Sequence, residues 1–256
     1  MKAQVLTNCD YALTADQWGT LQDVTDPKIE KSTDVIVRIG GAGACRTDLH
    51  IIEGAWRPHV DPIGDSLLPL MIGHENVGWV EAVGKDAEGN KIGDPVIDHP
   101  KISGDTYLAC RHSFDMHGPG KLPGLDCNSG YSEFLCASER NIVPLPKMLT
   151  PKEAATYSDA SLTAYRAVKK ATRHLLPGES CVVIGAGGLG HIGIQCLRAM
   201  CAADIVVIDK SDASLAHRGL IDLTTVEYRL ADANQALKDL HDGKIHGRAV
   251  LNSCVP

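Results

Sequence analysis

Four apolar residues, Cys181-Val182-Val183-Ile184, open directly into Gly185-Ala186-Gly187-Gly188-Leu189-Gly190. No other stretch restricts the fold as much. The run lacks polar alternation, as in a parallel strand covered on both faces. Ile192 to Met200 then reads as a helix, and Ile205 to Ile208 as a second apolar strand ending at Asp209. In such a unit Gly185 permits the tight turn, Gly187 lets the backbone approach a pyrophosphate, and Gly190 lets helix and strand pack closely. Gly188 and Leu189 complete the loop, and the helix N-terminus offers free N–H groups to a phosphate. Asp209 follows Gly185 by 24 residues, near the offset at which a carboxylate meets ribose hydroxyls. An acid there repels a 2′-phosphate, so NAD is expected over NADP, a preference that Lys210 softens. The competing reading is a tight turn that binds nothing. Strand, loop, helix, strand and acid in order speak against it.

A second stretch runs Gly43-Ala44-Cys45-Arg46-Thr47-Asp48-Leu49-His50. It sets a thiol, a cation, a hydroxyl, a carboxylate and an imidazole close together. A soft or borderline metal takes thiolate and imidazole donors. A hydroxyl beside the reacting oxygen can pass a proton to a nearby histidine and on to water. Gly73-His74-Glu75 adds an imidazole and a carboxylate, and Ser158-Asp159-Ala160 adds another carboxylate. Singly these residues read as a buried thiol, a core histidine and a helix-end acid. Together they form a candidate metal set.

The rest of the chain reads as short strands with Gly/Pro turns up to about residue 145, then as helix and strand in alternation. Strands are expected at Lys2 to Asn8, Asp34 to Ile39, Val77 to Val83, around Val96, at Gly130 to Phe134 and at Asn141 to Leu145. Gly40 to Gly43 are expected to break the second of these. Trp56 to Pro69, rich in proline, reads as loop. Thr150-Pro151-Lys152-Glu153 is a capping box with Pro at the first helical position. Ser161 to Ala171 reads as a helix with Leu162, Tyr165 and Val168 on one face. Near the end, Ala231 to Leu240 reads as helix and Gly247 to Leu251 as strand. The chain has 256 residues, 44% of them apolar, enough for a core. Its net charge of −7 disfavours nucleic acid as a partner. No apolar span suggests a membrane segment or a leader peptide. Nine cysteines without a framework spacing suit reduced thiols and a cytoplasmic protein.

The Cys45, His74, Asp159 and glycine-loop motifs, in this order, resemble the zinc-dependent medium-chain alcohol dehydrogenases. The resemblance runs from Met1 to about His217 and resumes near the C-terminus. It implies an α/β plus all-β fold. A GroES-like β catalytic domain would take residues 1–160 and 220–256, with a shortened Rossmann-type domain at 161–219. Cys45, His74 and Asp159 would be the ligands of a catalytic zinc, with Glu75 an inner-sphere or exchangeable fourth. Asp48 would orient the His74 imidazole. Thr47 would accept the proton of the alcohol, and His50 would relay it. Arg46 would pair with the pyrophosphate, Thr163 would lie beside the nicotinamide, and Trp56 would line the substrate pocket or pack as a lid in its loop. The family's structural zinc cysteines fall at Gly104, Tyr107, Cys110 and Gly118. Only Cys110 is a cysteine, so one zinc is expected; His112, Asp115 and His117 could form a replacement site, but read better as solvated loop.

The function implied is hydride transfer between a primary or secondary alcohol, or its carbonyl, and NAD. A full doubly wound domain has six strands, and only two are visible here. The alternative is therefore a zinc-binding remnant with little or no dinucleotide binding or turnover. The exposed sheet edge suggests a homo-oligomer, dimer or tetramer.

Overall fold

A computed structural model describes residues 1–60, 67–103, 108, 119–146, 148–210, 225–245 and 247–253. In chain order the first strands are β1 (Lys2–Leu6), β2 (Gly19–Asp23), β3 (Asp34–Ala44), β4 (Leu70–Met71), β5 (Glu75–Val83), β6 (Pro95–Asp98) and β7 (Ile102–Ser103). They are followed by β8 (Gly120–Lys121), β9 (Phe134–Ser138), β10 (Ile142–Pro144), β11 (Ser180–Ile184), β12 (Asp204–Ile208), β13 (Thr225–Arg229) and β14 (Arg248–Asn252). The helices are α1 (Arg46–Ile52), α2 (Arg57–Val60), α3 (Pro151–Ala154), α4 (Ala160–Ala171), α5 (Gly188–Met200) and α6 (Ala233–His241).

A seven-stranded sheet carries the molecule, in the order β10-β6-β5-β3-β14-β13, with β9 also on β3. The first half of β3 pairs with β9 and its last residues with β14, while β5 runs along the other edge. Side chains from β3, β5, β6 and α1 fill the core, with Val35, Val37, Ile39, Leu49, Ile52, Val80 and Val96 all buried. The returning segment β13-α6-β14 packs on this same sheet, with β13 and β14 parallel. A three-stranded sheet β2-β1-β4 lies alongside. Apart from both stands a two-stranded parallel sheet, β11-β12, with α5 between its strands in sequence and α4 packed on α5.

Four expectations need correction. Gly40 to Gly43 do not break β3, which runs on to Ala44 with two register irregularities. The glycines are there for close approach. A Cβ on Gly40 would lie 2.5 Å from the Trp79 ring, and one on Gly43 would overlap the Glu75 carboxylate. Gly130 and Tyr131 are not in a strand; their N–H groups bond Gly73 O and Ile72 O, and β9 begins only at Phe134. In α4 the buried face is Ala160, Ala164 and Val168, while Leu162 and Tyr165 are exposed. Neither β11 nor β12 is covered on both faces. Val182, Ile184, Val206 and Ile208 share one face, and Ile184 is 84% exposed.

The loop expected at Trp56 to Pro69 contains the short helix α2. Cys110, His112, Asp115 and His117 lie outside the described residues, as do Gly104, Tyr107, Gly118 and His217. The cysteines among the described residues are free thiols. No helix there is long and apolar enough to cross a membrane.

Candidate metal centre and coenzyme loop

The centre forms where four segments meet at the C-terminal end of β3. That strand ends at Ala44, so Cys45 stands at the sheet's rim and begins α1. Gly43 pairs with Glu75 across β3 and β5, which brings His74 beside Cys45. Ala44 pairs with Ala249, which brings Arg248 of β14 to the same rim. Asp159 immediately precedes α4. The donor atoms of Cys45, His74, Glu75 and Asp159 all lie within 4.8 Å of one another.

His74 is held from both sides. Its Nδ1 lies 3.0 Å from Asp48 Oδ1, and its Nε2 lies 3.5 Å from Asp159 Oδ2. Burial works against charge on the ring, but the two carboxylates outweigh it and hold the pKa well above the ordinary histidine value. Asp48 is itself fixed. It accepts from Cys45 N at 2.9 Å and from the Tyr131 hydroxyl at 3.0 Å. Burial, reinforced by the Asp48 charge, pushes the Tyr131 phenol far up, so it stays a donor. Gly73, at φ +98°, turns the chain into His74 against the face of the Tyr131 ring, where a side chain would overlap.

Asp159 is partly open. Burial raises its pKa, but His74 and the Thr163 hydroxyl, 3.4 Å away, more than offset this and leave it below the usual range. Glu75 is differently placed. One carboxylate oxygen accepts from Ala160 N at 3.2 Å, and the other pairs with Arg248. Burial pushes this carboxyl up against the pull of Arg248.

Thr47 Oγ1 lies 3.8 Å from Cys45 Sγ. His50, one turn along α1, is half-exposed, with Nε2 4.0 Å from Glu53 Oε1. Arg46 is exposed at the start of the same helix. Trp56 is partly buried and packs against the main core.

The glycine loop crosses from β11 into α5. Gly185 has φ +91°, and a Cβ on Gly190 would overlap Gly185 O, so both positions require glycine. Gly187 faces open space, and Gly188 lies against the Arg248 side chain, where a Cβ would come within 3.1 Å. Leu189 is exposed. Asp209 Oδ2 accepts from Ala186 N at 2.6 Å, so the acid at the end of β12 holds the loop from inside.

Arg248 is the residue that the sequence motifs did not single out. It is buried, pairs with Glu75, and occupies the space that a Cβ on Gly188 would enter, so it lies between the metal-type cluster and the coenzyme-type loop. Nothing local in Gly247-Arg248-Ala249-Val250 marks it, beyond a basic residue opening an otherwise apolar strand.

Residues 31–147 match the family model described as the alcohol dehydrogenase GroES-like domain. The NAD-dependent alcohol dehydrogenase of Sulfolobus acidocaldarius is 32% identical over 197 residues, covering 76% of this chain and 56% of that protein. The D-arabinose 1-dehydrogenase (NADP(+)) of Saccharolobus solfataricus is 34% identical over 230 residues, covering 88% of this chain and 63% of that one. The crystal structure of the alcohol dehydrogenase from Aeropyrum pernix superposes with a TM-score of 0.88 at 29% identity, over 98% of this chain and 100% of that chain. The chain spans 56% and 63% of the length of the two curated relatives.

Proposed function

Because the chain belongs to the medium-chain alcohol dehydrogenase family, we propose that it transfers hydride between a primary or secondary alcohol, or its carbonyl, and NAD. The observation that carries this reading is the meeting of Cys45, His74, Glu75 and Asp159 within 4.8 Å. The donor set suits zinc, which takes thiolate, imidazole and carboxylate together. His74 Nε2 is buried and faces Asp159 Oδ2 at 3.5 Å, so it points into the centre as a ligand atom would.

In this reading Cys45, His74 and Asp159 hold one zinc, and Glu75 is an exchangeable fourth donor. The Glu75–Arg248 pair opposes that last role, because Arg248 would have to give up the Glu75 carboxylate. When bound, zinc supplies Lewis-acid polarisation of the substrate oxygen, and NAD supplies the hydride acceptor. Asp48 holds His74 in one orientation, as a carboxylate behind a ligating imidazole does. The Thr47 hydroxyl takes the proton from the substrate oxygen, and His50, open to solvent, passes it to water. Gly185, Gly187, Gly188, Leu189 and Gly190 cradle the pyrophosphate at the N-terminus of α5, and Arg46 pairs with it. Thr163 would help to hold the nicotinamide half. Asp209 selects NAD over NADP by its charge; relatives named for each coenzyme exist, so the family alone does not choose. The catalytic unit comprises residues 1–160 and 220–256, and the coenzyme unit residues 161–219.

The exposed face of β11-β12 favours a second reading, a zinc-binding member with little or no coenzyme affinity. Measuring metal content and NADH fluorescence on one sample distinguishes the two. Metal with NADH binding and alcohol oxidation supports the first. Metal without NADH binding supports the second, and no metal removes both.

A further inference from the structure

Tyr131 is 0% exposed, and no step of the proposed reaction uses it. Its backbone lies along the segment that leads into His74. Tyr131 N bonds Ile72 O at 2.9 Å, and Gly130 N bonds Gly73 O at 3.2 Å. Gln4 N, from β1, holds Tyr131 O at 2.7 Å. The ring is pressed on Gly73, where a Cβ would overlap it. Ring and backbone are therefore both fixed, and so is the place of the hydroxyl. It lies 3.0 Å from Asp48 Oδ2 and 3.5 Å from Gly43 O. A phenol has one proton to give. The shorter distance and the charged acceptor assign that proton to Asp48.

Asp48 is 0% exposed too, so protein donors stand in for solvent around its carboxylate. An ionised carboxylate only accepts, so His74 Nδ1, 3.0 Å from Oδ1, donates in that pair. Oδ2 accepts from Cys45 N at 2.9 Å, a bond made within the first turn of α1. Tyr131 reaches the same oxygen from a segment 83 positions away. With Oδ2 tied from two sides, the carboxylate is held against rotation and Oδ1 stays on the imidazole. The other ring nitrogen, Nε2, then stays turned toward Asp159, whose Oδ2 is 3.5 Å away.

We propose that Tyr131 is a positioning residue of the metal centre. By steadying Asp48 its hydroxyl fixes the His74 ring, and this raises the affinity of the centre for zinc. The inference rests on the reading of Cys45, His74 and Asp159 as zinc ligands. It adds a residue that acts through Asp48 rather than on the metal. A tyrosine that only fills the core predicts something different, because its hydroxyl would have no link to Asp48.

The test is the zinc affinity of the full chain by chelator competition. Tyr131→Phe keeps the ring on Gly73 and removes only the hydroxyl. It should weaken zinc binding toward the lower end of about 10–100-fold. In an Asp48→Asn background the same change should add no more than about twofold, because the charge it steadies is gone. No loss in the unmodified background overturns the proposal. An equal loss in both backgrounds also overturns it, since the hydroxyl would then act apart from Asp48. If the variant does not fold, proton NMR of the unmodified chain serves. The Tyr131 hydroxyl proton, assigned through the ring's contact with Gly73, should shift on addition of zinc, because one carboxylate separates it from a ligand. A resonance that does not respond to zinc overturns the proposal. An unmodified chain that takes up no zinc fails at the ligand reading itself, and the inference falls with it.

Discussion

Arg248 and Glu75 form an ion pair at the rim of β3 that is buried on both sides. Such a pair contributes little net stability, but removing one partner strands a charge. Arg248→Met should therefore cost roughly 3–5 kcal/mol in urea unfolding. Adding Glu75→Gln to that variant should recover part of the loss; a double variant no better than the single one would deny the pairing its role. At the metal-type cluster, Cys45→Ala should take metal content from one zinc per chain to near none by elemental analysis. Two zincs in the unmodified protein would contradict the single-site reading. Asp48→Asn should leave the ligands in place but weaken metal affinity by about 10–100-fold, measured by chelator competition. The ligand-type residues were legible because each sits in a short local pattern: Cys45 before a polar turn, His74 after a glycine, Asp159 before a helix. Arg248 and Tyr131 were not. Arg248 lies 173 positions from its partner, and only the sheet's strand order brings the two together.

Among the elements, β3 shows why a glycine run is ambiguous in sequence. Glycine marks either a turn or a close approach, and Gly40 to Gly43 serve the second purpose inside a strand. The glycine loop after β11 is the opposite case, where position and chemistry agreed. Gly190→Ala should cost near the upper end of about 1–3 kcal/mol, because the new methyl group has only the Gly185 carbonyl to displace. The capping box was equally readable: Thr150 Oγ1 accepts from Glu153 N at 3.4 Å, and the Glu153 carboxylate accepts from Thr150 N at 2.9 Å. Coverage of β11 and β12 was not readable. Val182 to Ile184 and Ile205 to Ile208 are all valine or isoleucine, so nothing in the pattern separates the face under α5 from the face left open. Val182→Thr with Ile184→Thr should lower the binding of an apolar dye yet change stability by no more than about 0.5 kcal/mol, as for other exposed sites. A larger loss of stability would mean that this face is covered in solution.

At the scale of the whole molecule, the two halves of the proposed reaction are unequally supported. The metal-type cluster stands on the seven-stranded sheet and is fixed from several directions, by Asp48, Tyr131, Ala160 and Arg248. The coenzyme-type loop stands on two paired strands, with one sheet face exposed. In the proposed reading the loop and Asp209 form the adenosine half of the coenzyme site. The sheet that would place a nicotinamide is reduced to one strand pair among the described residues. Misplacing the reacting carbon by about 1 Å can cost on the order of a hundredfold in rate. Binding of NAD by calorimetry should therefore be weak but measurable, tighter than NADP, and narrowed toward it by Asp209→Ala. Because Asp209 also holds Ala186 N, that substitution should weaken both coenzymes as it narrows the gap. Equal affinity in the unmodified protein would remove Asp209 from its assigned role. Turnover with simple alcohols should be slow. The outer edges of β11 and β12 pair with no other strand among the described residues; such edges invite pairing with another copy, so light scattering should report a species larger than the monomer. A monomer that binds NAD tightly and turns over fast would show that one strand pair is enough, and that the exposed face has no part in coenzyme binding.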